Sequence, residues 1–327
     1  MVAKDGPARL LVTGASGFVG RQLLPMLRRE FPAATLVAAS TETEIDGADL
    51  IFPLDLLDAV SVRDCIAAAR PDGVIHLAAE SMVASSFADP ERTWKVNVDG
   101  TMLLARQVMA TTPEALFVFA SSAEAYGLTF QFGSPLDENA PFAPANPYAA
   151  SKAVADIALG EMALRGLRVL RLRPFNHTGP GQSEAFVISA FARQIARIEA
   201  GLQERVVRVG AMDRWRDFLD VRDVCAAYVA AIARGGDIPP GTAINIASGV
   251  PRKIGDILDS MIARTGLAIM VQTEAARLRP TDVMTTAGAT GRAAELLGWS
   301  QSIPWDETVA SVLDHWRRQI GEQPGGE

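Results

Sequence analysis

Cysteine is scarce, two in 327 residues, and Cys65 and Cys225 lie far apart with no C-x-x-C spacing. A disulfide framework or a cysteine zinc site is therefore not expected, and a reducing, cytoplasmic setting fits. Histidine is hardly more common: His76, His177 and His315 are scattered without ligand spacing, so no metal site is expected. The chain lacks an apolar run of the roughly 18 residues that a membrane span needs. Met1 to Pro7 shows neither the charged start nor the long apolar stretch of a signal peptide. A basic excess is missing too. The net charge is -7, which argues against a chain held to nucleic acid by bulk electrostatics. There is no internal repeat or low-complexity tract. What the chain has in quantity is apolar residues, 49% of 327, enough to bury a large core and build about two domains.

From Arg9 the chain reads Leu10-Leu11-Val12, then a glycine turn, then helical spacing from Phe18 to Arg29, which is how a βα unit begins. Apolar runs recur at Thr35 to Ala39, Leu50 to Phe52, Gly73 to Ala78, Leu116 to Ala120 and Leu167 to Leu172, with helical segments between them. That alternation predicts an α/β fold with a mostly parallel, doubly wound Rossmann sheet. Asp89-Pro90 and Asn146-Pro147 each set a capping side chain before a proline at the first helical position, and Gly166 is expected to end the second of these helices. Beyond Pro174 the reading is loop chemistry from Asn176 to Gly181, a helix from Phe186 to about Gly201 and a strand at Val206 to Gly210. A helix at Val221 to Arg234 and a strand at Thr242 to Ala247 then return to the first sheet. The expected division is a dinucleotide-binding domain of residues 1–174 plus 217–248, and a smaller C-terminal α/β substrate domain of 175–216 plus 249–327. The tail from Gly321 is expected to fray.

Thr13-Gly14-Ala15-Ser16-Gly17-Phe18-Val19-Gly20 sits between strand and helix, where backbone N–H groups can meet a pyrophosphate. A side chain at Gly14 or Gly17 would hinder the turn or the phosphate's approach, and one at Gly20 would push helix from strand. An acid that selects NAD is expected about 20 residues past such a turn; here that place is near Ser40. No lysine or arginine between Phe31 and Val62 stands ready to grip a 2′-phosphate, although Arg21 can fold back from the first helix. NAD and NADP both stay open, with the balance toward NAD.

Tyr148 and Lys152 are spaced i and i+4, on one face of the helix that Pro147 starts. A nearby ammonium is expected to lower a phenol from its usual pKa near 10 and ready it for proton transfer. Ser122 follows the strand 117–120, whose carboxyl end is where open α/β sheets bind ligands, and its hydroxyl suits a carbonyl oxygen.

In these residues the chain resembles the extended short-chain dehydrogenase/reductase family of epimerase/dehydratase type. The motifs are T-G-A-S-G-F-V-G at Thr13 to Gly20, D-L at Asp55-Leu56, H-L-A-A at His76 to Ala79, N-V-D-G-T at Asn97 to Thr101, S-S-A-E-A-Y-G at Ser121 to Gly127, and Tyr148 with Lys152. The resemblance implies that Asp55 and Leu56 sit beside the adenine, Ala78 and Ala79 line the nicotinamide side, and Asn97 supports the active-site helix. Further cofactor contacts are implied at Ser16, Phe18, Val19, Ser40, Leu77, Ala120, Pro174, Asn176 and His177. Asn97 and His76 have plainer readings, as a satisfied helix polar residue and a strand-end hydrogen bonder.

The run Arg173 to Gln182 is a donor-rich turn after a sheet strand and suits a diphosphate. Arg214, Arg216 and Arg279 add planar forks for phosphate oxygens, although surface ion pairs are the commoner use of such arginines. Trp215 and Phe218 read as core or loop anchors. By resemblance the substrate residues are Ser81, Ser122, Asn176, Arg193, Arg216 and Arg279. Within the family, P-F-N-H-T-G-P-G-Q at Pro174 to Gln182 and R-D-F-L-D-V-R-D-V at Arg216 to Val224 are most similar to the GDP-6-deoxy-4-keto-mannose reductases. The implied substrate is a GDP-linked sugar, reduced at a C4 ketone with Tyr148 giving the proton. Glu124 keeps a second reading alive, because sugar-nucleotide 4,6-dehydratases place a glutamate there; an epimerase is a third, and a non-catalytic cofactor sensor is the alternative from another class. Relatives dimerise through a four-helix bundle of the helices beginning near Pro90 and Pro147, which implies a homodimer with Ala153, Ile157 and Met162 as candidate lining, unless that stripe faces the sheet.

Overall fold

A computed structural model describes residues 6–133, 135–277 and 283–322. The first half runs β1 (Arg9–Thr13), α1 (Phe18–Glu30), β2 (Thr35–Ser40), β3 (Leu50–Pro53), α2 (Ala59–Ala69), β4 (Gly73–His76), α3 (Val83–Ala88), α4 (Pro90–Trp94), α5 (Thr101–Thr111), β5 (Leu116–Ala120) and α6 (Pro147–Leu164). It continues through β6 (Val169–Pro174), β7 (Asn176–Thr178), α7 (Val187–Glu199), β8 (Val206–Val209), β9 (Trp215–Asp220), α8 (Val221–Arg234), β10 (Thr242–Ile246), β11 (Pro251–Lys253), α9 (Ile254–Ala263), β12 (Met270–Thr273) and α10 (Trp305–Gly321).

Seven strands form one parallel sheet in the order β10-β6-β5-β4-β1-β2-β3. Side chains alternate across it, so Leu10 and Val12 pack toward α1 and α8 while Leu11 packs toward α2 and α5. Both faces being covered explains why these strands read as continuous apolar runs. The winding reverses between β1 and β4, which puts Thr13 and His76 at the carboxyl ends flanking the switch point, where such sheets open a crevice. Thr242–Ile246 does return to this sheet, as the edge beside β6.

A second set of elements forms its own core. β9 pairs parallel with β7 and antiparallel with β11, and β12 pairs with β8. Ile188, Phe191, Phe218, Leu258 and Val312 bury against one another from α7, β9, α9 and α10. Ala293, Leu297 and Trp299 instead join the core of the large sheet.

Both proline-led helices begin as expected, with Asp89 capping Arg92 N and Asn146 capping Ala149 N. α4, however, is short. It passes at Lys95–Gly100 through a π-type turn into α5, a widening that periodicity does not reveal. The expected loop at Asn176 to Gly181 contains β7, three residues whose ladder with Phe218 to Asp220 depends on a partner some 40 residues away.

Candidate active site

The glycine turn is built by contact. Gly14 has φ +68°, and a Cβ there would lie 2.8 Å from the amide nitrogen of Ala78. At Gly20 it would lie 2.4 Å from the carbonyl oxygen of Ala15. Thr13 ties the two strand ends: its Oγ1 meets His76 Nδ1 at 2.7 Å and accepts from Ala78 N at 3.2 Å, while His76 Nε2 meets Thr101 Oγ1 at 3.0 Å. Burial, then the charge of Lys152, hold His76 down at about 3, so it is a neutral hydrogen bonder. α1 is preceded at its N-cap by Gly17, and no side chain caps its first N–H groups. An uncapped helix start beside glycines that admit no Cβ fits a pyrophosphate.

At the end of β2, Ser16 and Ser40 hydroxyls stand 3.3 Å apart. Arg21 does fold back. Its Nε donates to Ser16 O at 2.6 Å, and its Nη2 lies 3.8 Å from Glu42. Asp55 is exposed and accepts from Leu57 N, whereas Leu56 is buried against Gly100. Phe18 at the start of α1 stacks with the His177 ring, centroids 6.3 Å apart, and His177 Nδ1 meets Phe175 O.

Ser122, Glu124, Tyr148 and Lys152 converge at the end of β5. Tyr148 lies beside Ser122, and Glu124 is close enough to act on it through charge. Glu124 also accepts from Asn146 at 3.4 Å. Lys152 Nζ donates to Ala120 O at 2.7 Å and lies 5.0 Å from the Phe119 ring centre. Here the expected electrostatics need correcting. Burial, aided by Glu124, pushes the Tyr148 phenol up to about 12, and only the nearby Ser122 hydroxyl opposes it. Lys152 spends its ammonium on a backbone carbonyl, and burial pulls it down to about 8 against the upward pull of Asp156. Desolvation outweighs the helical i, i+4 proximity.

Asn97 reaches this group from the π-type turn. It accepts from Glu80 N, donates to Glu80 O, and donates to Ser151 Oγ at 2.9 Å; Ser151 in turn donates to Tyr148 O.

The substrate side differs more from expectation. Arg173 does not offer its fork to a diphosphate: it is buried, donates to Asp156 at 2.9 and 3.0 Å and to Tyr126 Oη at 2.9 Å, and lies against the Phe142 ring. Its strand position turned it inward, which a linear reading of the turn could not register. Arg193 pairs with Glu184 at 3.0 Å and lies 5.9 Å from the Trp316 ring, with no contact to the Ser122–Tyr148 group. Ser81 is exposed, and Asn176 is half-buried on β7. Arg216 is buried and donates to the Trp215 and Met284 carbonyls. Phe218 is core, stacked on Trp305, but Trp215 is partly exposed and not a core anchor. Arg279 lies outside the described residues. An open cleft of about 520 Å³ is walled by Phe130, Gln131, Arg214, Met284 and Thr285.

Two carboxylates went unremarked in the sequence. Asp217 is buried and accepts from Ser248 N and Oγ, Gly249 N and Gly288 N, knitting β9 to the loop after β10. Asp156 gathers Ser121, Arg171 and Arg173. Its signal was available, since it follows Lys152 by four residues on the same helical face.

A switch-point crevice with an uncapped glycine turn on one wall and Ser122, Tyr148 and Lys152 on the other defines the extended short-chain dehydrogenase/reductase class. The chain belongs to the GDP-mannose 4,6-dehydratase family, whose model matches residues 11–312. It is 36% identical over 318 residues to the GDP-6-deoxy-D-mannose reductase of Pseudomonas aeruginosa, covering 96% of this chain and 99% of that one. Its fold superposes on RMD from Pseudomonas aeruginosa complexed with NADPH, with a TM-score of 0.83, 33% identity and coverage of 95% and 99%. It also superposes on UDP-glucose 4-epimerase from Thermus thermophilus complexed with NAD, with a TM-score of 0.82, 26% identity and coverage of 94% and 99%. Among the described residues no helix is long and apolar enough to cross a membrane, and no group of three or more His, Cys, Asp or Glu could hold a metal ion.

Proposed function

We propose that the chain is an NAD(P)H-dependent reductase acting on the C4 ketone of a GDP-linked 4-keto-6-deoxyhexose. The observation that carries this reading is Tyr148, a half-buried phenol that desolvation keeps neutral, set beside Ser122 on the helix that also carries Lys152. A protonated phenol is ready to give a proton, which ketone reduction requires at the new alkoxide. Full-length similarity to a GDP-6-deoxy-D-mannose reductase supports the substrate class. When bound, the reduced nicotinamide supplies the hydride. Ser122 donates to the ketone oxygen, Tyr148 protonates it, and Lys152 sets positive charge behind both. Gly14, Gly17 and Gly20 form the cradle, with Ser16, Ser40, Asp55 and Leu56 on the adenosine side; Asn176, Arg216 and Arg279 are the substrate's diphosphate and ribose contacts.

The test uses the purified chain. GDP-4-keto-6-deoxymannose should oxidise NADH or NADPH, whereas GDP-mannose with oxidised cofactor should yield no 4-keto-6-deoxy product. Accumulation of that ketone would replace the reductase with a dehydratase and make Glu124, which already faces Tyr148, its C5 base. No turnover with any keto-sugar nucleotide would favour a cofactor sensor. Running the assay with both cofactors also addresses the ribose site. There Glu42, Glu44 and Asp46 crowd the loop after β2 and Arg21 is already paired, an environment that repels a 2′-phosphate and keeps the balance toward NADH.

A homodimer is part of the proposal. Phe87, Trp94, Ile157 and Leu164, on α3, α4 and α6, are exposed apolar side chains, more than solvent-facing helices usually carry together. Ala153 and Met162 belong to the interior and not to this surface; Met162 packs in the sheet core. Light scattering at micromolar concentration should give twice the 34.8 kDa chain mass, and a value equal to it would refute the dimer. A cytoplasmic location completes the reading, supported by two free, buried cysteines.

A further inference from the structure

We propose that Asp156 is the positioning residue of the proton-transfer pair, joining the end of β5 to the helix that carries Tyr148 and Lys152 and supplying the negative charge opposite the Lys152 ammonium. The inference rests on the reductase reading above for its kinetic part only.

Asp156 is fully buried and sits four residues after Lys152 and eight after Tyr148 on α6. Its two oxygens accept from four donors: Ser121 Oγ at 2.6 Å, Arg171 Nη1 at 2.7 Å, and Arg173 Nε and Nη2 at 3.0 and 2.9 Å. A carboxylate so saturated has no slack. Ser121 stands between the two groups that matter, Ala120, whose carbonyl holds Lys152, and Ser122, whose hydroxyl lies beside Tyr148. The Ser121–Asp156 bond thus sets where the strand end meets the helix. Arg171 and Arg173 fasten the same carboxylate to β6, and Arg173 extends the link to Tyr126 Oη and Glu138 O.

The charge count points the same way. The ionisable groups facing Lys152 are Asp156 on its own helix and His76 of β4. Behind Asp156 stand Arg171 and Arg173 of β6, with Tyr126 and Glu138 beyond them. Removing the Asp156 charge would leave Lys152, Arg171 and Arg173 without the carboxylate that lies among them, Glu138 being the remaining acid beyond the arginines. Loss of that carboxylate would remove the one charge that raises the Lys152 midpoint against burial.

Only four lysines occur, Lys4, Lys95, Lys152 and Lys253, so a chain labelled with ¹³C at lysine Cε gives four assignable signals and reports the Lys152 midpoint with no substrate present. Asp156→Asn should lower that midpoint by at least about 1 pH unit. Ser121→Ala keeps every ion pair and is the variant that folds if Asp156→Asn does not. It should lower kcat about tenfold while cofactor affinity and melting temperature stay near native values. Melting temperature lost with the Lys152 midpoint and kcat unchanged would make Asp156 a structural ion pair and overturn the proposal. Should the native chain fail to turn over keto-sugar nucleotides, the reductase reading falls, while the lysine titration still decides the role of Asp156.

Discussion

Tyr148→Phe should bind cofactor as the native chain does and lose roughly 10²- to 10⁴-fold in kcat, the usual worth of a positioned general acid. The expectation follows from geometry. The change removes one oxygen, and the ring stays on α6 behind Asn146 and Ala149, so the glycine turn across the crevice is untouched. The pH profile should carry a second mark. Lys152 is an ammonium below about 8 and loses its charge as pH rises through that value, so native kcat should hold on the acid side and decline on the alkaline side. The phenol, held near 12, stays protonated throughout. Fluorescence titration with reduced cofactor and steady-state kinetics from about pH 6 to 10 check both. Native turnover by Tyr148→Phe would remove the proposed acid.

Gly20→Ala is the second large effect. Its Cβ would sit 2.4 Å from Ala15 O, 2.5 Å from Gly14 O and 2.6 Å from Ala15 C, all backbone atoms that cannot swing aside. Either α1 moves off the sheet or the turn opens; both scatter the N–H groups that would face a pyrophosphate. Cofactor affinity should fall by at least about 100-fold, with about 1–3 kcal/mol of stability lost as in other overpacked sites. Gly17→Ala is the matched control. Its Cβ would meet only Gly14 O, at 3.1 Å, so denaturation should be near native and any loss should appear in binding alone. Equal melting and equal binding in Gly20→Ala would show that the turn tolerates a side chain and is not the cradle described.

Much of the architecture was legible in the chain. The strands of the large sheet read as apolar runs because both faces are covered, and the helix starts at Pro90 and Pro147 announced themselves because capping is a contact within three residues. The glycine turn was equally plain, since its steric demands fall on neighbours in sequence. The short strands β7, β9 and β11 were not, because a ladder of three to six residues draws its stability from distant partners. Arg173 misled for a related reason. Its formal charge and its place beside Pro174 suggest an exposed anion grip, yet strand alternation points it at Asp156.

The sequence by itself determined the class of fold, the glycine turn and the i, i+4 spacing of Tyr148 and Lys152, all of which follow from local sterics and periodicity. Only the tertiary structure decided how those groups ionise and what holds them. Ala120 captured Lys152, burial lifted the phenol, and Asp156 drew three elements to one carboxylate. Desolvation and long-range hydrogen bonding depend on what surrounds a side chain, and the neighbours concerned lie tens of residues away along the chain.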